Sequence, residues 1–60
     1  MTSNELIRLL ENDGWVQIRV KGSHHTFHKE GRQEILTVPH PRKDLPVGTL
    51  NSILKTAGLK

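Results

Sequence analysis

Three of the four histidines fall within Lys21-Gly22-Ser23-His24-His25-Thr26-Phe27-His28, directly after a glycine-containing turn and in the most basic part of the chain. Imidazole has an unperturbed pKa of about 6.5, so it takes or gives a proton near neutrality. Arg19, Lys21 and Lys29 are cations of the type that holds phosphate. Such a set suits a polyanion whose own hydroxyl serves as nucleophile, as the 2′-hydroxyl of RNA does. That chemistry needs a base near the hydroxyl, an acid near the 5′-oxygen and positive charge on the phosphate. A solvated basic face on a small protein has the same composition, and charge alone does not separate the two.

Positioning depends on how this stretch is folded. Thr26 and Phe27, flanked by turn signals on both sides, favour a strand, in which alternate side chains point to opposite faces. If Phe27 points into the core, His25 goes with it, while His24, Thr26 and His28 face the other way. His24 then stands at the mouth of the strand, beside the turn. The strand also argues against a metal site. His24 and His28 have the spacing of helical zinc pairs, but four strand positions put them ~13 Å apart, too far to share an ion. His28 or a lysine could assist the leaving group, although the same separation is too far for His28 and His24 to share one phosphate easily.

Sixty residues make one small domain, residues 1–60. A chain of this size buries roughly 60% of its unfolded surface and is stable by a thin margin. It contains no cysteine, which excludes disulfide staples and thiolate metal sites. No apolar run reaches the ~20 residues that span a bilayer, and the N-terminus has no signal-peptide pattern, so the expectation is a cytoplasmic protein without membrane contact. The net charge of +3 is unevenly spread: residues 1–14 carry −2, 15–43 carry +4 and 44–60 carry +1. The excess sits with the histidines.

Along the chain, Thr2 and Glu5 have capping-box spacing at the start of a helix over residues 2–13. Leu6, Leu9 and Leu10, with Ile7 flanking, form its apolar stripe, and Gly14 ends it. Residues 15–20 alternate, which predicts a half-buried strand with Val16, Ile18 and Val20 inward, Gln17 and Arg19 outward, and Trp15 packed at the edge of the core. Gly22-Ser23 is a tight-hairpin sequence. A second strand is expected over about 24–29, a turn at Glu30-Gly31-Arg32, and a third strand over 33–39 with Leu36 and Val38 inward.

Pro39-His40-Pro41 ends the sheet, with His40 read as orienting the next loop rather than as an RNA contact. Arg42-Lys43-Asp44-Leu45 reads as a connecting loop, with Arg42-Lys43 solvated. A second helix over 46–57 presents Leu50, Ile53, Leu54 and Ala57, and Gly58-Leu59 fits a Schellman ending. Gly48 inside it lowers helix propensity, which suggests close approach to a partner or to the sheet. The class is α+β: α-β-β-β-α, a three-stranded antiparallel sheet with both helices on one face. The open face is expected to carry Gln17, Arg19, Lys21, His24, Thr26 and His28.

This order resembles the HicA family of toxin–antitoxin mRNA interferases. The likeness runs through Asp13-Gly14-Trp15, Lys21-Gly22-Ser23-His24-His25, Thr37-Val38-Pro39-His40, Gly48-Thr49-Leu50, Ile53-Leu54-Lys55 and Ala57-Gly58. The resemblance implies a double-stranded-RNA-binding-domain-like fold and a type II toxin that cleaves mRNA without cofactor or metal. It implies that the histidine after Gly-Ser, His24, is catalytic, and that a HicB-type antitoxin covers the histidine face. Arg19, Lys21, Ser23, Thr26, His28 and Lys29 are then the candidates for RNA binding. A non-catalytic RNA-binding module of the same fold is the alternative, and it differs in needing no histidine beyond its effect on affinity.

Overall fold

The computed structural model describes all 60 residues, in the order α1 (Ser3–Asn12), β1 (Val16–Lys21), β2 (His24–His28), β3 (Ile35–Pro39) and α2 (Val47–Thr56). The strands form one antiparallel sheet in the order β1-β2-β3. This is the expected α-β-β-β-α architecture. No helix is long and apolar enough to cross a membrane.

Local rules set the ends of both helices. The Thr2 hydroxyl accepts from the Glu5 amide at 3.1 Å, and the Glu5 carboxylate accepts from the Thr2 amide at 2.9 Å, completing the capping box. The Thr2 backbone bond, followed by its hydroxyl, holds the Glu5 carboxyl below its ordinary value of 4.5. That contribution is present above the ordinary value and is lost as pH falls through the lower folded one, so the cap weakens only in acid. At the far end of α2, Leu59 donates to the Leu54 carbonyl at 2.9 Å and Gly58 to Lys55 at 3.1 Å, which is the Schellman pattern.

The core is small. Leu6, Leu10, Trp15, Phe27, Leu36, Val38, Leu45, Ile53 and Ala57 fill it, with Ile7, Leu50 and Leu54 packed against them. Both helices approach the sheet over β3. Strand β1 therefore lies beyond their reach, and all six of its residues are exposed. This corrects the half-buried row expected of Val16, Ile18 and Val20, which are 62%, 56% and 50% exposed, although Val20 keeps the helix-side face. A bulge between Gln17 and Arg19 also breaks their common parity. Val16 pairs with His28 and Arg19 with Thr26, on the open face. Gln17 pairs with Phe27 and Val20 with His25, on the helix side. Gln17 thus moves off the expected open-face row.

Three further expectations are corrected. Leu9 is exposed, because the buried stripe of α1 runs through Ser3, Leu6 and Leu10. Trp15 lies within the core at 1% exposure, its ring 5.9 Å from the Arg32 guanidinium. Its indole Nε1 is buried and bonded to no protein acceptor. Leu45, read as loop, is a core residue at 5% exposure.

Gly48 and Gly58 separate two uses of glycine. A Cβ at Gly48 would meet nothing within 4 Å, so neither the sheet nor a neighbouring helix requires glycine there. Gly58 has φ +77° and its Cβ would lie 3.1 Å from Arg32 Nη1. Gly48→Ala should raise the free energy of unfolding by up to ~1 kcal/mol. Gly58→Ala should lower it by about 1–2 kcal/mol, the cost of a left-handed alanine. Urea denaturation of both variants checks this, and shifts of the same sign would contradict it.

Candidate active site

Cross-strand pairing arranges β2 and its neighbours into rows. On the open face, Lys21, His24 and Pro39 form one row, Arg19, Thr26 and Thr37 the next, and Val16, His28 and Ile35 the third. On the helix side, Val20, His25 and Val38 form one row, and Gln17, Phe27 and Leu36 the other. Directly paired residues share a face, so adjacent His24 and His25 point to opposite sides, as parity requires.

The four imidazoles differ in what holds them. His25 Nδ1 lies 2.8 Å from Gln17 Oε1, and its ring meets that of His40 edge-on at 4.8 Å between centroids. His40 Nδ1 lies 2.6 Å from the hydroxyl of Ser3, which is itself buried. His28 Nε2 lies 2.9 Å from the Arg32 carbonyl, so it donates there. His24 is exposed, and no such bond engages its ring. The hairpin behind it is a two-residue turn with Gly22 at φ +57°. The amide of His40 donates to the Ser23 carbonyl at 2.8 Å, which fixes the residue immediately before His24.

The other candidates divide between the two ends of β2, with Lys21 and Ser23 beside His24 and His28 and Lys29 at the far end. Lys21 is the direct cross-strand partner of His24, and Arg19 occupies the next row. Ser23 is exposed at the turn. Thr26, between Arg19 and Thr37, is only 5% exposed and offers little surface to a ligand. Lys29 lies beyond the opposite end of β2, where its ammonium is 3.2 Å from Asp13. With both side chains about a third exposed, that pair contributes roughly 0.2–1 kcal/mol.

One feature escaped the sequence reading. The Arg42 amide donates to Ser3 Oγ at 2.8 Å, Ser3 N donates to the Arg42 carbonyl at 2.9 Å, and Leu45 N donates to the Met1 carbonyl at 3.1 Å. These bonds stitch the loop after β3 to the start of α1. A signal existed: Ser3 stands at i, i+3, i+7 with Leu6 and Leu10, on the buried stripe. His40, read as a loop-orienting residue, serves that end through Ser3.

The family described as "HicA toxin of bacterial toxin-antitoxin" matches residues 3–59. The chain belongs to the HicA toxin family. Two solved structures share its fold closely. One, a "HicA3 and HicB3 toxin-antitoxin complex", is 44% identical with a TM-score of 0.87, covering 100% of this chain and 97% of that one. The other, a toxin–antitoxin complex from Streptococcus pneumoniae, is 38% identical with a TM-score of 0.84, covering 98% of each. Among curated proteins none matches. The α-β-β-β-α arrangement of this HicA toxin agrees with those relatives over essentially its whole length.

The two adjacent histidines of this HicA chain should separate in stability. His25→Ala removes the Gln17 contact and the ring packing on His40, whereas His24→Ala removes an exposed side chain with no such bond. Thermal melts should place His25→Ala below His24→Ala. Equal melting temperatures would contradict the assignment of opposite faces.

Proposed function

We propose that this toxin is a metal-independent mRNA endoribonuclease in which His24 is the general base. One observation carries the reading: of four imidazoles, three are half-buried and held by hydrogen bonds to the protein, and His24 is exposed at the end of the open sheet face with Lys21 paired beside it. Membership of the toxin family supports the same assignment.

In this reaction His24 takes the proton of the RNA 2′-hydroxyl. The 2′-oxygen bonds to phosphorus, the P–O5′ bond breaks, and the departing 5′-oxygen accepts a proton. Lys21, whose strand runs about 4.8 Å from that of His24, is placed to neutralise the phosphate oxygens, with Arg19 holding the strand one row along. Ser23 borders the same end of the face. His28 and Lys29, engaged by Arg32 and Asp13 at the other end, fall outside this minimal site.

The partner is a HicB-type antitoxin that covers the open face. Val16 and Ile35, 62% and 55% exposed, flank His28 there, while Arg19 and Lys21 give the other end its positive charge. An antitoxin with apolar and acidic groups complements both, and the charged part of its association slows as salt screens it.

Incubation with RNA in excess EDTA should give products ending in 2′,3′-cyclic phosphate, and His24→Ala should retain RNA binding while losing cleavage by about 100-fold or more. Products with 3′-hydroxyl ends, or activity that needs an added metal, would overturn the mechanism. Undiminished cleavage by His24→Ala would overturn the base. Binding without cleavage by the parent protein would favour the non-catalytic module.

A further inference from the structure

A cleft of about 380 Å³ lies between the start of α1 and the loop after β3, lined by Thr2, Ser3, Asn4, Pro41, Arg42 and Lys43. Its lining holds two cations and no carboxylate. Arg42 and Lys43 are exposed, and neither is within ion-pair distance of an acid. Two of the backbone amides along its wall, those of Thr2 and Ser3, are already engaged. Thr2 N is satisfied by Glu5, Ser3 N by the Arg42 carbonyl and Glu5 N by Thr2 Oγ1. The nearest carboxylate on α1, that of Glu5, is turned onto the Thr2 amide.

The cleft is built rather than incidental. Both backbone groups of Arg42 are bonded to Ser3, and Leu45 N is bonded to the Met1 carbonyl, so the loop is held while the two cationic side chains stay free. It is also tied to the proposed site. His24 pairs with Pro39, and the next residue, His40, clamps the Ser23 carbonyl. Arg42 is three residues on from Pro39, so the Cα atoms of His24 and Arg42 are at most ~16 Å apart. A single strand of a few nucleotides spans that distance.

We propose that this cleft is a second phosphate subsite, in which Arg42 and Lys43 hold the backbone of an RNA strand that runs past His24 around the turn end of the sheet. This rests on the reading of RNA as substrate, and it assigns a place for nucleotides beyond the scissile phosphate. Because the cations read charge and not base edges, the subsite lends length dependence and not sequence preference.

The test uses the full chain carrying His24→Ala, which does not consume its ligand, with and without Arg42→Ala plus Lys43→Ala. Binding is measured to a trinucleotide and to an RNA of about 12 nucleotides, within the span usual for small single-strand-binding folds. The ratio of long-strand to short-strand affinity should fall about tenfold, and the long-strand salt slope should lose roughly 0.7 per phosphate contact removed. An unchanged ratio, or an equal loss on both lengths, overturns the subsite. Loss of antitoxin binding with the RNA ratio intact would assign the cleft to the protein partner and overturn it as well. Cleavage by parent protein read in parallel keeps the two claims apart: a changed ratio without His24-dependent cleavage sinks the catalytic reading alone, and His24-dependent cleavage with an unchanged ratio sinks the subsite alone.

Discussion

Strand β2 is hydrogen-bonded on both sides, and the two ladders leave its side chains no freedom to exchange faces. Everything else in this small protein follows from that constraint. Phe27, aimed at the helices, is fully buried in a core that Leu36, Val38 and the two helices complete. The same parity sends His25 toward the helix side, where Gln17 and His40 receive it, and turns His24 outward. Two chemically identical neighbours thereby acquire different surroundings: one ties β2 to the residues around it and the other stands exposed on the open face.

A nine-residue core gives little stability in reserve. Many short-range devices supplement it: the capping box on α1, the Schellman ending of α2, and the Ser3 hydroxyl joining α1 to Arg42 and His40. Arg32 joins the loop after β2 to the rest. Its guanidinium faces Trp15, donates to the Thr56 carbonyl and pairs with Glu34, while its own carbonyl takes His28. The Glu34 pair is surface-exposed and contributes little, so the packing on Trp15 and the bond to α2 are the stronger terms. These devices cluster at the ends of elements. The sheet surface between them is thus free to be basic at one end and apolar at the other.

What was legible in the sequence was what local rules decide. Thr2 with Glu5, Gly14, Gly22-Ser23 and Gly58-Leu59 each mark a boundary through backbone conformation or a cap, and each acts as expected. The parity of β2 was legible because Phe27 and the paired Leu36 and Val38 anchor it. The alternation of β1 misled, since Val16, Ile18 and Val20 look like a buried row. Two ten-residue helices seated over β3 cannot cover an edge strand two places away, and the bulge at Ile18 leaves no mark in residue type. Leu9 failed for the related reason that α1 meets the sheet along a narrow stripe. Burial of Leu45 and the Ser3 clasp depend on contacts 37 or more residues apart, which no periodicity records.

The central claim is that of adjacent His24 and His25 only the first meets RNA. It is tested most directly by recording the imidazole nitrogen resonances of all four histidines during titration with a substrate RNA carrying 2′-deoxyribose at the scissile position. The His24 resonances should move with saturation while those of His25 and His40 stay fixed. Movement of His25 or His40 with His24 unmoved would contradict it.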